Sequence, residues 1–197
     1  MNGPKGPEGN IVGVVLCGGK STRFGSNKAL AQFNGRSLVF SAVSLLSHYV
    51  EEVVLSVGQT DQEYVAGHAH IQDTIQGAGP LAGIAASFFA TSCDRLLVLA
   101  TDLPLVDEAD LKKIILSKRA PLTLGRDALT QRAQPLCGLW DRNVHAALEE
   151  YLANGKRAVM GFVEQLQAQH QVQWIDIEGG HLTNINKKDD LGEITDR

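Results

Sequence analysis

The stretch that decides the fold is Leu16-Cys17-Gly18-Gly19-Lys20-Ser21-Thr22-Arg23-Phe24-Gly25-Ser26-Asn27-Lys28. It follows Ile11 to Leu16, a short apolar run rich in β-branched residues that reads as a buried first strand. Glycines let the backbone approach a ligand closely and turn successive N–H groups inward, while Arg23 and Lys28 bring two cations to the same place. That combination suits a polyphosphate.

The spacing matches neither common glycine fingerprint. A dinucleotide-binding loop has G-x-G-x-x-G and a P-loop has G-x-x-x-x-G-K-[ST], whereas here the gap from Gly19 to Gly25 is too long and Ala29 follows Lys28. A glycine-rich turn after a first strand is also often a plain tight connection. The whole pattern, L-x-G-G-x-S-x-R-x-G-x-x-K, resembles the signature loop of nucleotidyltransferases that join a nucleoside triphosphate to a phosphorylated acceptor.

Before this stretch, Met1 to Asn10 holds three glycines and two prolines and reads as a mobile tail. After it, Ala29 to Phe33 is an apolar bridge closed by an Asn34-Gly35 turn, and Ser37 caps a helix to about Ser47 with Leu38, Ser41, Ala42, Leu45 and Leu46 on one face. Strands are expected at Glu52–Val57, near His70–Gln72, at Arg95–Ala100 (the most apolar), at Ala120–Gly125, Ala133–Trp140 and Val172–Ile177. Between them, Gly77 to Gly83 opens a small-residue helix to about Thr91, and further helices are expected at Asp107–Ser117, from Asp141 to about Ala153 and from Lys156 to about Gln169. An Asn-rich turn at Thr183–Asn186 leads into a terminal helix. Strands alternating with helices at this spacing predict one three-layer α/β domain over residues 11–197 with a mostly parallel central sheet.

In such sheets ligands sit outside the carboxyl ends of the strands, which gathers the signature loop, Ser56, Asp73 and Asp102 at one rim. Asp102 is the sharpest residue: a carboxylate after a buried strand, held by the Leu103-Pro104 turn, suits Mg²⁺ on a triphosphate, although aspartate also commonly caps a turn. Arg23 can grip phosphate oxygens as a fork and Lys28 as a point charge. Asp73 either contacts the nucleoside or caps the turn before Gly77. Arg157 either meets an acceptor's phosphate or starts a solvated helix. Asn184 and Asn186 offer paired amides that read a heterocycle or a phosphate, or else form an ordinary turn.

At 197 residues, 44% hydrophobic and 20% charged, the chain is long enough for one sizeable core and short for two. Its formal net charge of −4 argues against a nucleic-acid or anionic-membrane surface, so an anion site must be local. No apolar run approaches the roughly 20 residues of a membrane span, and the N-terminus lacks a signal-peptide layout, which points to a cytoplasmic protein. Cys17, Cys93 and Cys137 lack metal-type spacing and read as small buried thiols. The histidines form no metal-helix pair and carry no assignment.

These pieces, in this order, resemble the molybdenum cofactor guanylyltransferase family over roughly residues 11–192. The match rests on Leu16-Cys17-Gly18-Gly19 with Arg23, Gly25 and Lys28; Gly79-Pro80-Leu81-Ala82-Gly83; Thr101-Asp102-Leu103-Pro104; Gln134-Pro135-Leu136 through Trp140; Gly155-Lys156-Arg157; and Asn184-Ile185-Asn186 with Asp189-Asp190-Leu191. The resemblance implies a Rossmann-like nucleotidyltransferase fold, GTP as substrate, Mg²⁺ as the metal, and molybdopterin or Mo-molybdopterin as acceptor. Further partners would be molybdenum-cofactor biosynthesis proteins and acceptor apoenzymes. It places Leu16, Cys17, Gly18, Gly19, Lys28, Ser56, Asp73 and Asp102 on the nucleotide, Asp102 also on the metal, and catalysis on Asp102, Arg23 and Lys28. Arg157, Asn184 and Asn186 would face the pterin. Three positions depart from the family: Cys17 replaces the usual alanine, Asn27 stands where an aspartate commonly precedes the lysine, and Ser56 stands where asparagine is frequent. The alternatives are a cytidylyltransferase acting on molybdopterin or a sugar-like alcohol phosphate, and a non-catalytic molybdopterin carrier.

Overall fold

The computed structural model describes residues 9–18, 27–58, 64–73, 75, 77–117, 120–186 and 190. Gly19, Arg23 and Gly25, the first eight residues of the expected tail and the expected terminal helix lie outside the described residues. Asn10 is already fastened: its N–H donates to Asp94 Oδ2 at 2.7 Å and its carbonyl accepts from the Asp94 and Arg95 N–H groups.

β1 (Ile11–Leu16) follows, buried at every position after the first. A 3₁₀ turn at Lys28–Leu30 leads to a small hairpin of β2 (Gln32–Phe33) and β3 (Arg36–Ser37), where Asn34 and Gly35 take φ of 49° and 77°. Asn-Gly favours this turn because both positions need positive φ. α1 (Leu38–Leu46) starts where Ser37 Oγ accepts from the Phe40 N–H. Its buried face is Leu38, Val39, Ala42, Val43 and Leu46; of the other residues of the expected stripe, Leu45 packs partly buried against the core and Ser41 is half-buried. Apolar residues run almost around this helix, so periodicity alone could not set its rotation.

β4 (Val53–Gly58), β5 (Ala69–Gln72), α2 (Pro80–Ala90), β6 (Arg95–Ala100) and α3 (Glu108–Ile115) come next. They are followed by the hairpin of β7 (Leu122–Asp127) and β8 (Ala133–Asp141), then α4 (His145–Ala153), α5 (Val159–Gln167) and β9 (Val172–Ile177). Two helices begin later than expected. Asp141 caps a 3₁₀ turn at Arg142–Val144 ahead of α4, and the Lys156-Arg157 stretch is a linker that Tyr151 fastens by donating from its hydroxyl to Ala158 O at 3.0 Å.

Seven strands form one sheet in the order β5-β4-β1-β6-β8-β7-β9, parallel throughout except for β8, which runs against both β6 and β7. α1 and α3 share one face, joined by the Tyr49 hydroxyl donating to Glu108 O, and α2, α4 and α5 cover the other. β6 is buried at all positions because it lies mid-sheet with helices on both sides. Beyond it, fully buried Trp140 stacks on Phe162 at 6.1 Å and Tyr151 meets Phe162 edge-on at 5.3 Å. The three cysteines are free and buried, and burial pushes the Cys17 and Cys137 thiols up to about 12. Among the described residues no helix is long and apolar enough to cross a membrane.

Candidate active site

β1, β4, β5 and β6 end on one rim, and register sets what meets there. Leu16 lies opposite Ser56 on one side and Ala100 on the other. The start of the signature loop is therefore clamped from both neighbours: the Cys17 N–H donates to Ser56 O at 2.8 Å, and Leu16 O accepts from the Thr101 N–H and hydroxyl, each at 3.3 Å.

Ser56 is buried, and its Oγ lies 3.5 Å from Asp73 Oδ1. Gly83, in the first turn of α2, allows that pair to exist: a Cβ there would sit 2.1 Å from Ser56 Oγ and 3.3 Å from Asp73 Oδ1. Burial raises the Asp73 carboxyl above its usual value, while the Ser56 hydrogen bond pulls it back. α2 opens on the same rim with Gly79 as cap and Pro80 first in the helix, so the positive end of its dipole lies beside this pair.

Asp102 follows β6. Lys28 Nζ sits 3.3 Å from its Oδ2, and its Oδ1 is buried without a hydrogen-bond partner among the described residues. An orphaned buried carboxylate oxygen is unfavourable by itself and is the hard ligand that Mg²⁺ takes, so the residues present fit a divalent cation. Lys28 is positioned by Asn27, whose Oδ1 caps the 3₁₀ turn by accepting from the Ala29 N–H at 3.1 Å and whose Nδ2 donates to the Tyr64 hydroxyl at 2.9 Å.

The Asn-x-Asn segment reaches the same aspartate. The Ile185 N–H donates to Asp102 O at 2.9 Å, with the Ile185 side chain fully buried against Leu38. Asn184 Oδ1 accepts from Gln134 Nε2 at 2.6 Å, and the Asn186 N–H donates to Asp190 Oδ2 at 2.6 Å. Upstream, Asp127 Oδ2 accepts from the Gly180 N–H at 3.1 Å and His181 Nδ1 pairs with Asp110 Oδ2 at 2.7 Å. At His181 burial acts to lower the pKa, but the Asp110 hydrogen bond and the charges of Asp110, Asp107 and Glu178 outweigh it and raise the imidazole above its usual value. Asp107, Asp110 and His181 also hold metal-binding atoms within 4.8 Å of one another, yet both carboxylates are engaged in capping α3.

Arg157 is placed differently. Its Nη1 donates to Leu152 O at 2.6 Å and Lys156 O at 2.7 Å, closing the end of α4. Because β8 runs backward, α4 returns toward the rim and carries Arg157 to that edge, but no described contact joins it to Asp102 or Asn184. Gln134 carries a signal in the sequence, as a polar residue before Pro135, whereas nothing in the sequence marks Tyr64 or His181.

A three-layer α/β sheet whose first strand is held on both sides where it ends, with Lys28 paired to Asp102 at the same rim, has the architecture of a nucleotidyltransferase. Residues 13–172 match the MobA-like NTP transferase domain, and the chain belongs to that family. A relative from Halalkalibacterium halodurans, named a probable molybdenum cofactor guanylyltransferase, is 31% identical over 193 residues, covering 93% of this chain and 97% of the relative. One of the same name from Bacillus licheniformis is 30% identical over 190 residues, covering 92% and 94%. The fold is shared with molybdopterin-guanine dinucleotide biosynthesis protein A from Archaeoglobus fulgidus, at TM-score 0.70 and 21% identity over 94% of this chain and 98% of that one. It is also shared with 2-C-methyl-D-erythritol 4-phosphate cytidylyltransferase from Thermus thermophilus, at TM-score 0.68 and 18% identity over 91% and 95%.

Proposed function

We propose that the protein transfers GMP from GTP to the terminal phosphate of molybdopterin or Mo-molybdopterin and releases pyrophosphate, as a Mg²⁺-dependent step in molybdenum-cofactor biosynthesis. The observation that carries this reading is the orphaned Oδ1 of Asp102 beside Lys28, with the Asn184–Asn186 segment bonded to the same residue's backbone. The names of relatives about 30% identical over nearly their whole length support the guanylyl and molybdopterin parts.

In this reading an oxygen of the acceptor's terminal phosphate attacks the α-phosphorus in line; the new P–O bond forms as the bond to the β-phosphate oxygen breaks, and pyrophosphate leaves. The nucleophile is already an anion, so no strong base is needed, and positioning with charge neutralisation supplies most of the rate. Bound Mg²⁺ would neutralise phosphate charge, held by Asp102. Lys28, released from Asp102 Oδ2, meets the phosphates, and Arg23 adds a second cation on the strength of the sequence pattern. Leu16, Cys17, Gly18 and Gly19 give the nucleotide its backbone cradle. Ser56 and Asp73 face the nucleoside, where guanine offers adjacent N–H donors that a carboxylate accepts and cytosine does not. Asn184 and Asn186 hold the acceptor, with Arg157 at the edge.

The deciding experiment mixes purified protein, Mg²⁺ and molybdopterin with GTP, CTP, ATP or UTP in turn and measures pyrophosphate. GTP alone should give stoichiometric release with a dinucleotide product. Release from CTP instead makes the protein a cytidylyltransferase, and pterin binding without pyrophosphate makes it a carrier.

A further inference from the structure

We propose that Tyr64 is an additional nucleotide-binding residue, its phenol hydrogen donated to a phosphate oxygen of the bound triphosphate beside Lys28; this rests on the nucleotide-binding reading above. Tyr64 is held at both ends. Its backbone N–H donates to His70 Nε2 at 2.9 Å, and its ring stacks on the His70 imidazole at 6.2 Å with 21° between planes. A nitrogen that accepts from a backbone N–H carries no proton, so His70 is the Nδ1–H tautomer and donates from that atom to His68 O at 2.8 Å. Both ring nitrogens are thereby engaged, and the imidazole anchors Tyr64 to β5.

The hydroxyl end is set by Asn27. Amide oxygen and nitrogen are often interchangeable, but the Ala29 N–H can only donate, so the oxygen of Asn27 must face it and the NH₂ must face Tyr64. The phenol oxygen accepts from that NH₂, and its own hydrogen has no acceptor among the described residues. An aspartate at this position would have taken that hydrogen. Asparagine leaves it available one residue away from Lys28, whose Nζ already stands at Asp102. A polyphosphate drawn to Lys28 and reaching along the chain toward Asn27 would meet, at the Tyr64 hydroxyl that Asn27 holds, a fixed O–H donor for its hard acceptor oxygens. Asn27 thus recruits Tyr64 into the phosphate site.

The test is a double-mutant cycle on the full chain, with Mg²⁺·GTP affinity read by titration calorimetry. Tyr64→Phe should weaken GTP binding roughly 2- to 10-fold, the range of one neutral hydrogen bond. Asn27→Asp should weaken it as well, since the carboxylate captures the phenol hydrogen and adds negative charge. In the Asn27→Asp background, Tyr64→Phe should then cost nothing further, and the charge effect cancels because both arms of that comparison carry it. A merely structural tyrosine would give the same loss in both backgrounds, which overturns the proposal, as does wild-type affinity in Tyr64→Phe. If wild-type protein binds no nucleoside triphosphate, the nucleotide reading falls with it; if it binds GTP and the cycle shows no coupling, only Tyr64 falls. Unchanged urea midpoints of the variants keep folding out of the comparison.

Discussion

At the scale of single residues, Asp102 sets function against stability. Its Oδ1 is buried without a hydrogen-bond partner among the described residues, a state that stabilises nothing in the free protein and that a bound cation relieves. Asp102→Asn should therefore lower Mg²⁺-dependent pyrophosphate release about 10²-fold or more while the melting temperature stays at or above that of the wild type. A variant that loses stability in step with activity would make Asp102 a turn residue. Gly83 makes the opposite kind of demand, since the space its missing Cβ leaves is filled by Ser56 Oγ and Asp73 Oδ1. Gly83→Ala should destabilise by about 1–3 kcal/mol in urea titration through overpacking. Adding Ser56→Ala should recover part of that loss, because the atom in the way is the serine hydroxyl.

At the scale of elements, the irregular segment 178–186 depends on side chains from three other places. Asp127, at the end of β7, accepts from the Leu129, Thr130 and Gly180 N–H groups and from the Thr130 hydroxyl. Those bonds, led by the Thr130 and Gly180 N–H groups, hold its carboxyl at about 2. An unfolded aspartate titrates near 3.9, so the ionised form binds its partners fully above about pH 4 and the stabilisation is lost as pH falls through about 2. Asp127→Asn should flatten the acid limb of stability between about pH 4 and 2 and cost on the order of 2 kcal/mol at pH 7, measured by urea midpoints across that range. An unchanged acid limb would mean that the Thr130 and Gly180 bonds do not hold the carboxyl down in solution. Because Asn184 and Ile185 continue from this segment, the same variant should disturb acceptor binding more than nucleotide binding.

At the scale of the whole molecule, ligand binding couples the rim to global stability. A ligand at one hundred times its dissociation constant adds about 2.7 kcal/mol, which for a chain of this size raises the melting temperature by roughly 5–10 °C. GTP with Mg²⁺ should produce such a shift and CTP should not, and chelating the metal should remove most of it. Equal shifts with both nucleotides would place base selection elsewhere than at Ser56 and Asp73. The strand elements read from sequence are those of the sheet, with β1, β6 and β9 at their expected bounds. Their order across the sheet was not readable. A hairpin is a local object, but the pairing of β8 rather than β7 with β6 is a long-range choice, and it sets Trp140 of β8 against Phe162 of α5.

Local chemistry is what the sequence alone determined. A β-branched run before glycines makes a buried strand, Ser37 and Asp107 start helices through bonds spanning three residues, and Asn34-Gly35 selects its turn. The rim residues Leu16, Ser56, Asp73 and Asp102 were legible too, since each ends a recognisable strand and parallel strands end together. Only the tertiary structure decided what those residues touch. Ser56 meets Asp73 because α2 carries no side chain at position 83, Gln134 reaches Asn184 because β8 runs backward, and Tyr64 reaches Asn27 because His70 anchors it to β5. Such contacts join residues 17 to 50 positions apart, and no periodicity or capping rule records them, because they follow from how the layers pack rather than from the order of neighbours along the chain.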